Sequence, residues 1–184
     1  MTKKKKIWLI IIAIAVISVA TVIIYINTQK KNILDLIDDF VYDRYLVYCL
    51  PDSYYDDTIT EEEKQALYDR VDEIYSKYMI KDSDIYLYET NYAKDFLKDR
   101  IDKTTASVAY HSFNIEVKIA YCHVYLEDAV ISAEAYVRLL DENDKPLFAT
   151  ISYSREEYTL KRANGRWYIV GREIRGIDSL YPEE

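Results

Sequence analysis

The sequence predicts an α+β protein: one N-terminal transmembrane helix, then about three helices packed on a curved four-stranded antiparallel sheet. Three observations carry that expectation. Residues 7–26, IWLIIIAIAVISVATVIIYI, contain no charge, no Pro and no Gly. Between residues 33 and 101 apolar residues recur at helical spacing, and from Phe113 onward the period shortens to two. Last, YTLKRANGRWYIVGREI (158–174) places Asn164-Gly165 between two strand-forming runs, the strongest short-range hairpin signal.

Lys3 to Lys6 precede the apolar run. As a helix, twenty residues span roughly 30 Å, the thickness of a bilayer core. Trp8 and Tyr25 fall at its two ends, where amphipathic rings favour the water–lipid boundary. The lysines predict a single-pass protein of the cell membrane with a cytoplasmic N-terminus and its C-terminal part outside. A signal peptide cleaved after Ala20 is the rival, since Ser18-Val19-Ala20 fits the small-x-small rule. The run continues through Val22, Ile23, Ile24 and Ile26 with no polar boundary, which favours a retained anchor. The expected organisation is a basic tail (1–6), the anchor (7–26), a short polar linker (27–32), the exported domain (33–176) and an acidic tail (177–184).

Ile33, Leu36, Ile37, Phe40, Val41, Val47 and Tyr48 make the stripe of the first soluble helix, which Pro51 ends. Residues 51–59 read as a loop. Thr60-Glu61-Glu62-Glu63 is a capping box, and Leu67, Val71, Ile74, Tyr75 and Tyr78 form the buried stripe behind it. Residues 85–88 read as a short extended piece, with a third helix from Asn91 through Ala93, Phe96, Leu97 and Ile101 towards Val108. The first strand alternates from Phe113 to Tyr121 and switches face after Cys122, as a bulge would make it do. Residues 129–140 form the second strand and 141–146 a turn. The third runs over 147–162 with an apparent slip in parity, and 166–174 form the fourth.

Composition narrows the function classes. Removing the four lysines of residues 1–26 from the formal charge of -8 leaves -12 on the remainder, which argues against nucleic acid as a partner. Tyrosine outnumbers phenylalanine 20 to 4, in keeping with partly buried sheet faces or binding surfaces. Asp141-x-Asn143 begins like a calcium loop, but Lys145 and Pro146 stand where a ligand and the glycine belong, so a turn is expected. Asp52, Asp56 and Asp57 read as a solvated loop. No metal or cofactor is predicted. Cys49 and Cys122 are either one disulfide or two small buried thiols. Cys122 and His123 are strand neighbours facing opposite ways, so they make no nucleophile–base pair. Tyr121, His123, Tyr125 and Glu134 are the candidate pocket residues. Without a nucleophile elbow or phosphate loop, the chain reads as a non-catalytic module.

Helices followed by a meander ending in YTLKRANGRWYIVGREI resemble the cone-shaped, cystatin-like fold of the nuclear transport factor and ketosteroid isomerase superfamily, over residues 33–176. More locally, RANGRWYIVGREI is similar to the non-catalytic N-terminal region of amidase-domain proteins of Gram-positive bacteria. The anchor, the acidic domain and the missing catalytic set read as a membrane-anchored binding or interaction module whose partner is an unidentified ligand, another envelope protein or itself. The resemblance implies an accessory module without the hydrolase. It also implies two alternatives. One is a structural part of an envelope assembly, such as a type IV secretion or conjugation machine. The other is a small-molecule isomerase or dehydratase, whose cavity Asp or His has no residue-by-residue match here.

Overall fold

Uninterrupted i→i−4 hydrogen bonding carries the apolar run straight into the folded domain. In the computed structural model, which describes residues 3–103, 110–147 and 151–178, a single helix α1 spans Lys3–Val47. Residues 27–32, expected as a linker, are therefore helical: with no Gly or Pro among them, nothing breaks the hydrogen-bond ladder. The helix is apolar and long enough to cross a membrane, and residues 10–24 are exposed throughout. Tyr25 is the first residue the domain partly covers. A stripe of Gln29, Ile33, Ile37, Phe40, Val41, Arg44 and Val47 then turns inward.

Pro51 starts the short helix α2 (Asp52–Tyr55) within the expected loop. Thr60 opens α3 (Glu61–Tyr78) with the complete capping box: Glu63 N–H donates to Thr60 Oγ1 at 3.2 Å, and Thr60 N–H donates to Glu63 Oε2 at 2.8 Å. Thr60→Ala is expected to cost about 0.5–2 kcal/mol, read as a lower unfolding midpoint of the full chain in detergent. An unchanged midpoint would mean the helix start is held by packing alone. Arg70 reaches from α3 to the end of α1 and donates to the Val47 and Cys49 carbonyls at 2.8 and 2.7 Å. The first of these is a group that the helix terminus leaves open.

Helix α4 spans Asp84–Ile101, so residues 85–88 are helical and the helix begins well before Asn91. Ser83 is the start signal, accepting a hydrogen bond from Tyr86 N–H. Val108 lies outside the described residues.

Four strands follow: β1 (Ser112–Val124), β2 (Asp128–Leu140), β3 (Ser152–Ala163) and β4 (Arg166–Asp178). They form one antiparallel sheet in the order β1-β2-β3-β4. The start expected for the third strand at 147 is not observed, residues 148–150 lying outside the described set, and the fourth extends beyond 174. The first bulge falls at Ala120, between Ile119 and Tyr121, slightly earlier than expected, and moves the helix-facing set from Phe113–Ile119 to Cys122 and Val124. Asn164 and Gly165 have φ of 52° and 80°, positive at both central turn positions as a type I′ hairpin requires. The Asp141 carboxylate accepts from the backbone N–H of Asn143 and Lys145, both at 2.9 Å, closing the β2–β3 turn.

The parity slip expected in the third strand does not occur. Ser154, Glu156, Tyr158 and Leu160 all face the helices, and Tyr153 pairs with Tyr136 on the other side. The apolar pattern is broken because Glu156 occupies a core position. Bulges at Val170 and Arg175, on β4, instead set its inward residues as Trp167, Ile169, Arg172 and Ile174.

Phe40 is the hinge pin of the core. Its ring meets Tyr75 at 5.9 Å, Tyr78 at 5.2 Å and Tyr158 at 5.8 Å, all edge-on, joining α1, α3 and β3. Val71, Ala93, Leu97, Ile131, Leu160 and Ile169, all essentially buried, complete the layer between helices and sheet.

Candidate functional site: a cavity with buried charges

Bringing Glu156 into the core creates a problem that three other side chains answer. Arg44 from α1 grips Glu156 in a bidentate pair, Nη1 to Oε2 at 2.6 Å and Nη2 to Oε1 at 2.8 Å. Arg172 from β4 donates to Glu156 at 3.1 Å and grips Glu89 of α4 with two bonds of 2.9 Å. Tyr158 Oη donates to Glu156 at 2.7 Å. Burial alone would push the Glu156 carboxyl up, but Arg44, Arg172 and the Tyr158 hydroxyl hold it at about 2. Burial likewise opposes the Arg44 charge, and its neighbours Tyr158 and Glu156 more than reverse that. Two guanidiniums and two carboxylates therefore balance inside the protein.

This network forms one wall of a cavity of about 440 Å³. The remaining wall is aromatic: Tyr45 and Tyr48 from the end of α1, Tyr75 from α3, Phe96 from α4, and Tyr110 before β1. Tyr88, Tyr92 and Ile174 are exposed at its rim. The volume falls in the range of small-molecule sites.

Arg100 faces the ion-pair network across this space and differs from it. It is 7% exposed, and its Nε and Nη1, covered by the surrounding protein, have no hydrogen-bond partner among the described residues. Its guanidinium lies 4.3 Å from the Phe96 ring centre, 5.0 Å from that of Tyr110 and 5.7 Å from that of Tyr48. Cation–π contact offsets part of the cost of burial but supplies no acceptor. Burial accordingly pulls the Arg100 pKa below its ordinary value. With Arg44 and Arg172 paired to Glu156 and Glu89, Arg100 is a surplus positive charge on the cavity wall among the described residues.

The residues singled out from the sequence lie elsewhere. Tyr121 and His123 pack as tilted rings 5.3 Å apart on the outer side of β1, and Tyr121 donates to Glu157 there. Glu134 accepts from Tyr136 at 3.1 Å on the same outer side, because the Ala120 bulge and the parity of β2 turn these positions away from the helices. Tyr125 is exposed in the β1–β2 turn. None of the four lines the cavity. His111 sits near α2, its Nδ1 3.3 Å from the Asp52 carboxylate.

The two cysteines lie apart in the structure. Both cysteines are free. Cys122 lies beside Lys30 and Leu34, whereas Cys49 follows the far end of α1, and at 1.5 Å per residue Lys30 and Val47 are roughly 25 Å apart. A disulfide needs α-carbons within about 7 Å. Burial pushes the Cys49 thiol up to about 11 and raises that of Cys122, which disfavours the thiolate each would need as a nucleophile.

The cavity residues left a signal that composition did not flag. Arg44 falls on the apolar stripe of α1, Glu89 and Arg100 on that of α4, and Glu156 between Ser154 and Tyr158 on the inward face of β3. Charges on core faces are the mark of a functional interior. No protein-family model matches the chain, and no curated protein matches it either.

Proposed function

We propose that this chain is a membrane-anchored, extracytoplasmic binding module whose cavity takes a small aromatic or apolar ligand bearing a carboxylate or similar anion. The observation that carries the reading is Arg100, a guanidinium on the wall of an aromatic cavity with no carboxylate partner among the described residues. An anion in the cavity would pair with this charge, while its apolar body would lie on Phe96, Tyr48 and Tyr110. The site reads as binding rather than catalytic because its carboxylates are locked in ion pairs and both thiols lie outside it.

The anchor supports the cellular side of the reading. The four lysines before the span favour a cytoplasmic N-terminus. From Tyr25 to Arg44 the helix rises roughly 28 Å, so the cavity would open well clear of the outer membrane surface. The resemblance to the cone-shaped superfamily agrees with a ligand held between sheet and helices.

The test uses the full chain in detergent and two fluorine-labelled probes of equal shape, trifluoromethylbenzoate and its neutral amide, followed by fluorine NMR. A charge-assisted hydrogen bond is worth about 1.5–3 kcal/mol, so the benzoate is expected to bind about tenfold or more tighter than the amide. Equal affinities, or no binding of either, would contradict the proposal.

A further inference from the structure

The turn between β1 and β2 presents its apolar side chains to solvent beside the membrane-spanning part of α1. Leu126 is 83% exposed, more than any other large apolar side chain among the described residues, and Tyr125 is 64% exposed. A tight turn does not require this. Its geometry is fixed by Tyr125 N–H donating to the Asp128 carbonyl at 2.8 Å, a bond that any non-proline residue makes.

The height of the turn is set by rigid contacts. Arg162 of β3 donates from its backbone to the Glu127 carbonyl at 2.7 Å, and its guanidinium bonds the Tyr25 hydroxyl while lying 5.7 Å from that ring's centre. One helical turn further on, Trp167 Nε1 donates to the buried Gln29 side chain at 2.9 Å. Tyr125 and Leu126 consequently border the same open groove as Thr21, Val22, Tyr25 and Ile26. Those four belong to the last third of the apolar run, which ends at Ile26. Thr21 lies roughly 7 Å below that end at 1.5 Å per residue, about the depth of one headgroup layer. A bilayer that accommodates residues 7–26 must therefore reach the turn.

The chemistry around the tip fits that boundary. Tyr25 and Tyr125 are the amphipathic rings favoured there, and Lys30, Lys31 and Lys161 lie exposed just above, where long cationic side chains meet lipid phosphates. The exposed acids Glu127 and Asp128 follow Leu126 in the same turn and partly offset these cations.

We propose that the Tyr125–Leu126 turn is a second membrane contact, inserted into the outer lipid interface beside the span and fixing the tilt of the domain. The inference rests on the reading of α1 as a retained membrane anchor. Lipid is the occupant because the apolar surface of the turn is continuous with that of the span.

Spin labels test it in the full chain reconstituted into phosphatidylcholine–phosphatidylglycerol vesicles. In a Cys49→Ala/Cys122→Ala background, labels are placed at Leu126→Cys, at Ile23→Cys within the span, and at Asn143→Cys in the β2–β3 turn. Collision with oxygen, which partitions into lipid, is compared with collision with a water-soluble nickel chelate. The label at 126 is expected to favour oxygen as that at 23 does, and the label at 143 to favour nickel. Nickel preference at 126 with oxygen preference at 23 would overturn the contact and leave the anchor standing. Shielding from both probes at 126 would place protein there and also overturn it. Nickel preference at 23 would remove the anchor and the contact together.

Discussion

Replacing Glu156 with Gln is expected to destabilise the full chain by about 3–5 kcal/mol, because Arg44 loses its only charged partner among the described residues while remaining buried. At the roughly 3 °C per kcal/mol typical of this size, the unfolding midpoint in detergent should fall by about 10–15 °C. Removing both members is expected to cost far less: Glu156→Met with Arg44→Met leaves Arg172 matched by Glu89. If the double variant were as unstable as the two single losses added together, the pair would not be acting as a pair. The effect also depends on pH in a defined direction. The folded Glu156 carboxyl sits at about 2, below its ordinary 4.5, so its contribution is complete above that ordinary value and is lost as pH falls towards 2. The stability gap between wild type and Glu156→Gln should therefore narrow over that window. A gap that widened on acidification would contradict the assignment.

Trp167→Ala is expected to cost a similar amount, about 3–5 kcal/mol, for a different reason. The ring is 3% exposed, fills the end of the core beside Gln29, and gives the buried Gln29 amide its hydrogen bond. Truncation opens a cavity and strands that amide together. Trp167→Phe keeps much of the volume and loses only the bond, so it should fall between wild type and Trp167→Ala in thermal unfolding. Equal midpoints for the two variants would mean that the hydrogen bond, not the packing, holds this end of the sheet to α1.

Where the sequence was legible, local physics and tertiary packing agreed. The apolar run, the Thr60 capping box, the Asn164-Gly165 turn and the period-two strands each state their structure without help from distant residues. The site was not legible, because its members come from four separate elements and each looks like an ordinary surface charge in its own stretch. Arg44 follows Asp43, Glu89 follows Tyr88, Arg100 follows Asp99, and Glu156 follows Arg155. Only placement on an inward face distinguishes them, and that depends on register. The apolar pattern of β3 breaks at Glu156, and it is the β2–β3 pairing that puts Tyr153 on the outer side and Glu156 inward. His123 and Tyr121 drew attention as rare or polar residues in an apolar strand, yet the single bulge at Ala120 turns them to the outer side. Helix α4 was shortened by treating residues 85–88 as extended, although Ser83 gives a cap of the favoured type.

Arg100 carries the functional reading, and one substitution separates a ligand-binding role from a structural one. Arg100→Met retains an unbranched apolar stem against Phe96 and Tyr110 and removes the buried, unpaired charge. Trifluoromethylbenzoate binding and thermal unfolding are measured on the same preparation of the full chain. The expected result is an affinity lower by about tenfold or more with an unfolding midpoint equal to or above that of wild type. A midpoint that falls while the probe binds as before would make Arg100 a structural residue and contradict the assignment of the cavity as an anion-binding site.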